Sequence, residues 1–325
     1  MIHKGKIAAF LLLPLLLSSC GNKTYSIEEY FLNVDYVDDF RILQLTDIHL
    51  GITTNLKEQE HYLNNLISVA SPHMIVITGD TFMNASKNEV DFIYSYFDSL
   101  NIPWSIVWGN HDKQGFYSPN YVVDSLSNYQ NVIFKNLKYD DVYGDSNYVV
   151  NLKDGLDTIW RLYMLDSNSY HDESTFTYNY DIIRPDQIAW YEKALNYENG
   201  FNIPSLMFIH IPLPELNYAA EQLKTNPDAY EYIGELKEDS WPGYKNSKMF
   251  TMIEKYHSTR GVFFGHDHLN TLAIDYEDVI LAYGVKSTNK IYHDALTLGG
   301  QIITLPRDGS FSLNNLERIY LRYEE

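Results

Sequence analysis

Residues 40–49 read Phe40-Arg41-Ile42-Leu43-Gln44-Leu45-Thr46-Asp47-Ile48-His49, a mainly apolar run that stops on a carboxylate and an imidazole. A run of this length reads as a buried strand, and the polar residues behind it open a loop. Downstream, Tyr62, Leu63, Leu66, Ile67 and Ala70 recur at the spacing of one helical face, which predicts a helix over Glu58 to Ala70. The pattern then repeats. Met74 to Ile77 is apolar and leads to Gly79-Asp80, Val90 to Leu100 has helical spacing, and Trp104 to Val107 leads to Gly109-Asn110-His111-Asp112. Residues 40–112 therefore read as a β-α-β-α-β unit, an arrangement in which ligands gather at the carboxyl ends of the strands.

The rest of the chain continues in the same style. Two or three strand-like runs lie between Asn131 and Asp166, including Ile159 to Leu165, and an irregular polar loop follows through Asn179. Arg184 to Leu195 reads as a helix, Leu206 to Ile209 as a strand before His210, Ser247 to Tyr256 as a helix, and Val262 to Phe264 as a strand before Gly265-His266-Asp267-His268. The tail from Val279 to Leu313 is strand-rich, with Gly299-Gly300 and a turn at Asp308-Gly309. No internal repeat is present. The expected fold is α/β, a two-sheet sandwich with one face that carries the chemistry.

Five polar clusters thus follow five strands: Asp47-Ile48-His49, Gly79-Asp80, Gly109-Asn110-His111-Asp112, His210 and Gly265-His266-Asp267-His268. Any one of them is common by chance, whereas all five in this order are specific. Carboxylate, imidazole and amide oxygens suit zinc, manganese or iron, and a thiolate site is excluded because Cys20 is the only cysteine. A bridging carboxylate can hold two ions about 3.5–4 Å apart, and Asp80 is the natural bridge. Of the 11 histidines, His61, His73, His171 and His257 have no partner pattern and are expected to be structural or exposed.

These clusters, with the segments around Asn101-Ile102-Pro103-Trp104, His210-Ile211-Pro212-Leu213-Pro214-Glu215 and His268-Leu269-Asn270, resemble the calcineurin-like metallophosphoesterase superfamily. Within it, they are similar to a purple acid phosphatase-like branch over roughly Phe40 to Leu305. The resemblance implies a four-layer αββα sandwich of two mixed β-sheets flanked by helices. It implies that Asp47, His49, Asp80 and His268 hold one divalent metal and that Asp80, Asn110, His210 and His266 hold the other. It further implies hydrolysis of a small phosphorylated substrate by attack of a metal-bridging hydroxide, with a phosphomonoester favoured. On the same resemblance His111 would face the leaving oxygen, Asp112 would orient the His111 ring, and His293 of the pair Tyr292-His293 would line the substrate pocket. Trp108, Tyr170 and Tyr218 offer further aromatic contacts to a substrate. The sequence departs from true purple acid phosphatases at His49, where they carry glycine, and at Met83, where they carry a tyrosine ligand, so a tyrosinate-to-iron colour is not expected. Phosphodiester hydrolysis on the same metal core, and phosphate-ester binding without hydrolysis, are the alternatives.

Composition bounds the rest. With 43 acidic against 24 basic residues the formal charge is -19, which disfavours nucleic acid as a partner. Lys4 and Lys6, the apolar run Ala8 to Leu17 and the closing Leu17-Ser18-Ser19-Cys20 read as a lipoprotein signal over residues 1–20, with Cys20 the lipidation site. Residues 21–39 are expected to be a tether and 40–325 the metallophosphoesterase domain. The expected location is extracytoplasmic, with the exported chain lipid-anchored to a bacterial membrane.

Overall fold

The computed structural model describes residues 25–137, 142–172 and 179–317. In chain order its strands are β1 (Phe31–Asp35), β2 (Phe40–Leu45), β3 (Met74–Thr78), β4 (Trp104–Val107), β5 (Tyr148–Asp154), β6 (Asp157–Met164), β7 (Ser205–Phe208), β8 (Tyr232–Ile233), β9 (Thr259–Phe264), β10 (Ala273–Tyr276), β11 (Val279–Tyr283), β12 (Gly299–Leu305) and β13 (Ser312–Glu317). The helices are α1 (Leu56–Ala70), α2 (Lys87–Ser99), α3 (Tyr121–Ser125), α4 (Pro185–Asn196), α5 (Glu215–Thr225) and α6 (Met249–Tyr256).

Two sheets form, one of order β13-β12-β2-β3-β4 and one of order β1-β5-β6-β7-β9-β11-β10-β8. Both are mixed: β2, β3 and β4 run parallel while β12 is antiparallel to β2, and β6, β7, β9 and β11 run parallel while β5 is antiparallel to β6. Strand alternation decides what each face covers. On β2, Phe40 and Ile42 turn toward the second sheet, where they meet Val150, Leu162, Phe208 and Phe263. Leu43 and Leu45 turn the other way, onto Leu63 and Leu66 of α1 and Ile93 and Phe97 of α2. The outer face of the larger sheet, through Met207, Val262 and Leu281, is covered by Tyr191 and Leu195 of α4, Leu216 of α5 and Ile253 of α6. Helix, sheet, sheet and helix are therefore stacked in four layers, the αββα sandwich expected.

The ends of the helices are chemically marked. Asn55 accepts from the Glu58 amide at the start of α1, and Ser86 and Glu89 form a capping box on α2. Ser71 ends α1 in the left-handed conformation, which turns the chain directly into β3.

One expected boundary is wrong. From Tyr25 the stretch 21–39 is part of the folded body: β1 pairs in parallel with β5 from Phe31 opposite Val149 to Asp35 opposite Lys153. Tyr30, Val34 and Tyr36 are buried, and the Tyr36 hydroxyl donates to Leu305 O at 3.0 Å. Asn33 and Asp35 break the apolar pattern of this edge strand, so its partner is what makes it a strand. The signal segment 1–20, Cys20 and residues 21–24 lie outside the described residues. No helix among the described residues is long and apolar enough to cross a membrane.

Candidate metal centre

β2, β3, β4, β7 and β9 each end on the same side, and the loops that follow bring Asp47, His49, Asp80, Asn110, His210, His266 and His268 together. Two buried triads result, Asp47–His49–His268 and Asp80–His210–His266, with the ligand-capable atoms in each within 4.8 Å of one another. Asp80 joins them: its Oδ2 is 3.3 Å from His210 Nε2 and 3.8 Å from His49 Nε2. His49 Nε2 and His268 Nε2 are 2.9 Å apart, and two ring nitrogens that close need a proton or a cation between them.

The residues fit metal ions on a second ground. Among the described residues, Asp47 Oδ1, Asn110 Oδ1 and His210 Nε2 are buried without a hydrogen-bond partner, a costly state that a bound cation relieves. The remaining atoms of these side chains are pinned. His210 Nδ1 donates to Thr78 O at 2.7 Å and His268 Nδ1 to Tyr292 O at 3.0 Å, so each turns Nε2 inward. Asp47 Oδ2 accepts from Thr46 Oγ1 at 2.8 Å and from the His266 amide at 3.0 Å, while Lys286 Nζ donates to Asp47 O at 2.7 Å.

Electrostatics favour the ligating forms at most positions. Burial pushes both carboxyls up, yet the imidazoles outweigh it, His268 and His49 on Asp47, His210 and His111 on Asp80, and hold them well below the usual carboxylate range. Burial, with the Lys286 charge, lowers His49 to about 4, and burial with His210 lowers His266 to about 3. Both are neutral near pH 7. His210 is the exception: burial pulls it down, but Asp80 prevails and raises it to about 10. A cation arriving at that triad displaces a proton.

The backbone that aims these groups is strained. Asp47, His49, Asp80 and His266 all have left-handed φ, between 50° and 83°. Neighbouring glycines make room: a Cβ on Gly109 would lie 2.1 Å from Asp80 Oδ1, and one on Gly79, itself at φ 85°, 2.6 Å from His210 Nδ1.

The other expected site residues sit as follows. The His111 amide donates to Asp80 Oδ1 at 2.8 Å, and its Nδ1 is 2.7 Å from Gln114 Oε1. The expectation that Asp112 orients the His111 ring is wrong. Asp112 is fully buried and accepts three backbone amides, Gly109 at 2.7 Å and Asp80 and Phe82 at 3.0 Å, so it holds the ligand loops together. Trp108 is 2% exposed, packs edge-on to Phe134, and forms part of the floor of a cleft of about 640 Å3 that also borders Asn110. His293 is exposed and contacts Ile291 O; its neighbour Tyr292 is the one against the centre, with its ring stacked on His268 at 4.2 Å. Met83 pairs through its amide with Leu50 O. His73 accepts the Arg41 amide, His171 stacks on Tyr244 and His257 ends α6, roles in keeping with their lack of a partner pattern.

Sequence reasoning missed Gln114, Tyr292, Lys286 and Tyr180, whose ring edge abuts His266 at 4.3 Å. Gln114 stands two residues past the Asn110 cluster and Tyr292 beside His293, but nothing in their spacing marks them as site residues, and Lys286 and Tyr180 lie away from every cluster.

A family model described as calcineurin-like phosphoesterase matches residues 40–270. Phosphatase DCR2 of Saccharomyces cerevisiae is 28% identical over 261 residues, covering 71% of this chain but 44% of its own length, so the chain spans under half of that relative. A probable inactive purple acid phosphatase 14 of Arabidopsis thaliana is 24% identical, over 84% of this chain and 76% of its own. A probable inactive purple acid phosphatase 29 from the same plant is 25% identical, over 76% and 71%. Among solved structures, a dimetal phosphatase from Danio rerio superposes with a TM-score of 0.59 at 14% identity, over 87% of this chain and 97% of its own, a likeness of fold. With two buried ligand triads joined through Asp80, the centre is a dinuclear metal site.

Proposed function

The chain belongs to the calcineurin-like phosphoesterase family, and from that premise we propose that it hydrolyses a phosphomonoester at two divalent metal ions, zinc, manganese or iron. The observation that carries the reading is the pair of buried triads sharing Asp80. Asp47, His49, Asp80 and His268 would hold one ion, and Asp80, Asn110, His210 and His266 the other. Such ions lower the pKa of bound water toward neutrality and draw charge from phosphoryl oxygens.

The chain's own residues supply orientation. Thr78 O and Tyr292 O fix the ring planes of His210 and His268, and Asp112 ties the loops of Asp80 and Asn110 to each other. His111, anchored by its amide to Asp80 and by Nδ1–H donated to Gln114 Oε1, keeps Nε2 for the leaving oxygen, where the imidazolium form of the ring would serve as a proton donor or charge stabiliser. The leader motif ending at Cys20 supports an exported, lipid-anchored chain facing away from the cytoplasm; labelled fatty acid incorporated by the wild type and not by Cys20→Ala is the expected result.

The test is phosphate release from p-nitrophenyl phosphate and bis-p-nitrophenyl phosphate by protein lacking residues 1–20, with zinc, manganese or iron restored. Metal-dependent turnover of the monoester, lost in His111→Ala, is expected. Faster diester turnover would move the reading to a phosphodiesterase. Two Arabidopsis relatives are named inactive, and silence on both esters from a folded protein carrying two metals would favour ester binding without hydrolysis.

A further inference from the structure

The cleft of about 640 Å3 begins at Asn110 and is of the size that takes small molecules, about 300–1,000 Å3. It meets the metal centre at Asn110, the ligand residue on its lining. Tyr170, on its wall, accepts from Asn110 Nδ2 at 3.3 Å, and Gln114, on its rim, holds His111. A phosphoryl group held beside Asn110 would have this cleft next to it as room for its alcohol part.

The charge on the wall is one-sided. Asp145, Asp166 and Asp181 line it, and among the described residues Lys113 is the one cation that does. Lys113 is spent on an ion pair with Asp145. Asp181 pairs at 2.6 Å with Arg184, and Asp166 accepts the amides of Asp145 and Asn168 at 2.8 Å. Among the described residues, a second phosphate would meet carboxylates and no free cation.

The polar groups favour donors on the incoming molecule. Asn168, 8% exposed and held at φ 68°, gives both amide hydrogens away, to Ile182 O at 2.8 Å and Gln187 Oε1 at 3.0 Å. Its Oδ1, enclosed at the back of the wall, has no donor among the described residues, and a carboxylate in its ionised form likewise only accepts. Flat faces complete the wall: the Tyr170 ring is stacked on Tyr180 at 5.4 Å, and Arg184 backs Tyr143 at 4.1 Å.

Resting on the phosphoesterase reading, we propose that this cleft binds the alcohol part of the substrate and selects phosphomonoesters whose alcohol carries hydroxyl or amino donors and no second anionic group. Asp145 sets that selectivity by holding Lys113.

The experiment compares kcat/KM of the metal-loaded protein for glycerol phosphate and a hexose monophosphate with that for a hexose bisphosphate and ATP, in the wild type and in Asp145→Asn. The wild type should favour the first pair by at least about tenfold, the scale of one unscreened like-charge contact. Asp145→Asn frees Lys113 and should raise kcat/KM for the bisphosphate about tenfold while leaving glycerol phosphate unimproved. Equal rates on both classes, or unchanged selectivity in a folded Asp145→Asn protein with its metals, would overturn the proposal. p-Nitrophenyl phosphate in the same assays reports on the phosphoesterase reading separately. Should it not turn over, calorimetric binding of the same compounds still decides the inference, and bisphosphate binding as tight as that of the monophosphates overturns it.

Discussion

Replacing Asp112 with asparagine separates a role in holding the loops from a role in the chemistry. The carboxylate accepts three buried amides, two through Oδ2 and that of Phe82 through Oδ1. An asparagine keeps one oxygen. Its best orientation retains Gly109 and Asp80 and turns NH2 against the Phe82 N–H, which strands a buried donor at about 1–3 kcal/mol. The two retained bonds lose their charge assistance, roughly halving their strength. Against this, burial and the Asp80 charge push the Asp112 carboxyl up to about 7, and a neutral amide escapes that penalty. The balance is a loss of roughly 2 kcal/mol, or about 3 °C in Tm for a domain of this size. Thermal melts of metal-free and metal-loaded protein, with metal content by mass spectrometry, make the measurement. A melt within a degree of wild type, with full metal content and a selective fall in kcat, would refute the argument and return Asp112 to His111.

Asp80→Asn removes the charge shared between His210 and His49, so bound metal should fall from two ions per chain to one or none by elemental analysis, with activity lost; two retained ions would contradict the bridge. Gly79→Ala combines a left-handed φ of 85° with a Cβ 2.6 Å from His210 Nδ1, and should cost about 1–3 kcal/mol in denaturant unfolding together with weaker metal retention. Chelation should lower Tm and re-addition restore it, since an ion at 100 times its Kd adds about 2.7 kcal/mol; an unchanged melt would mean the triads hold nothing. Ser86→Ala breaks the capping box of α2, for about 1 kcal/mol of stability with kcat unchanged, and a fall in kcat would contradict the assignment of that box to helix stability alone.

The central strands were legible because each buries both faces and so shows a short apolar run: Trp104 to Val107 was read with the bounds it has, and β2 and β3 differ at most by a residue. β1 was not, since Phe31-Leu32-Asn33-Val34-Asp35 is a half-exposed edge strand that exists through a partner more than a hundred residues away. Nor were α5 or the strands β8 and β10, the two strands being brief beside the loops around them.

The amino-acid order by itself marked the central strands and the five polar clusters that meet at the centre, because buried strands and the polar turns after them leave local patterns, while the four-layer order and the choice of seven ligands within those clusters came from the family resemblance. The tertiary structure alone decided how those seven are aimed. The carbonyls of Thr78 and Tyr292 that set the imidazoles and the Asp80 and Phe82 amides that claim Asp112 come from chain segments distant in sequence, and the left-handed backbone at Asp47, His49, Asp80 and His266 is held in that packed setting. Contacts of that kind have no period to read, since they follow from which loops the packed sheets bring side by side.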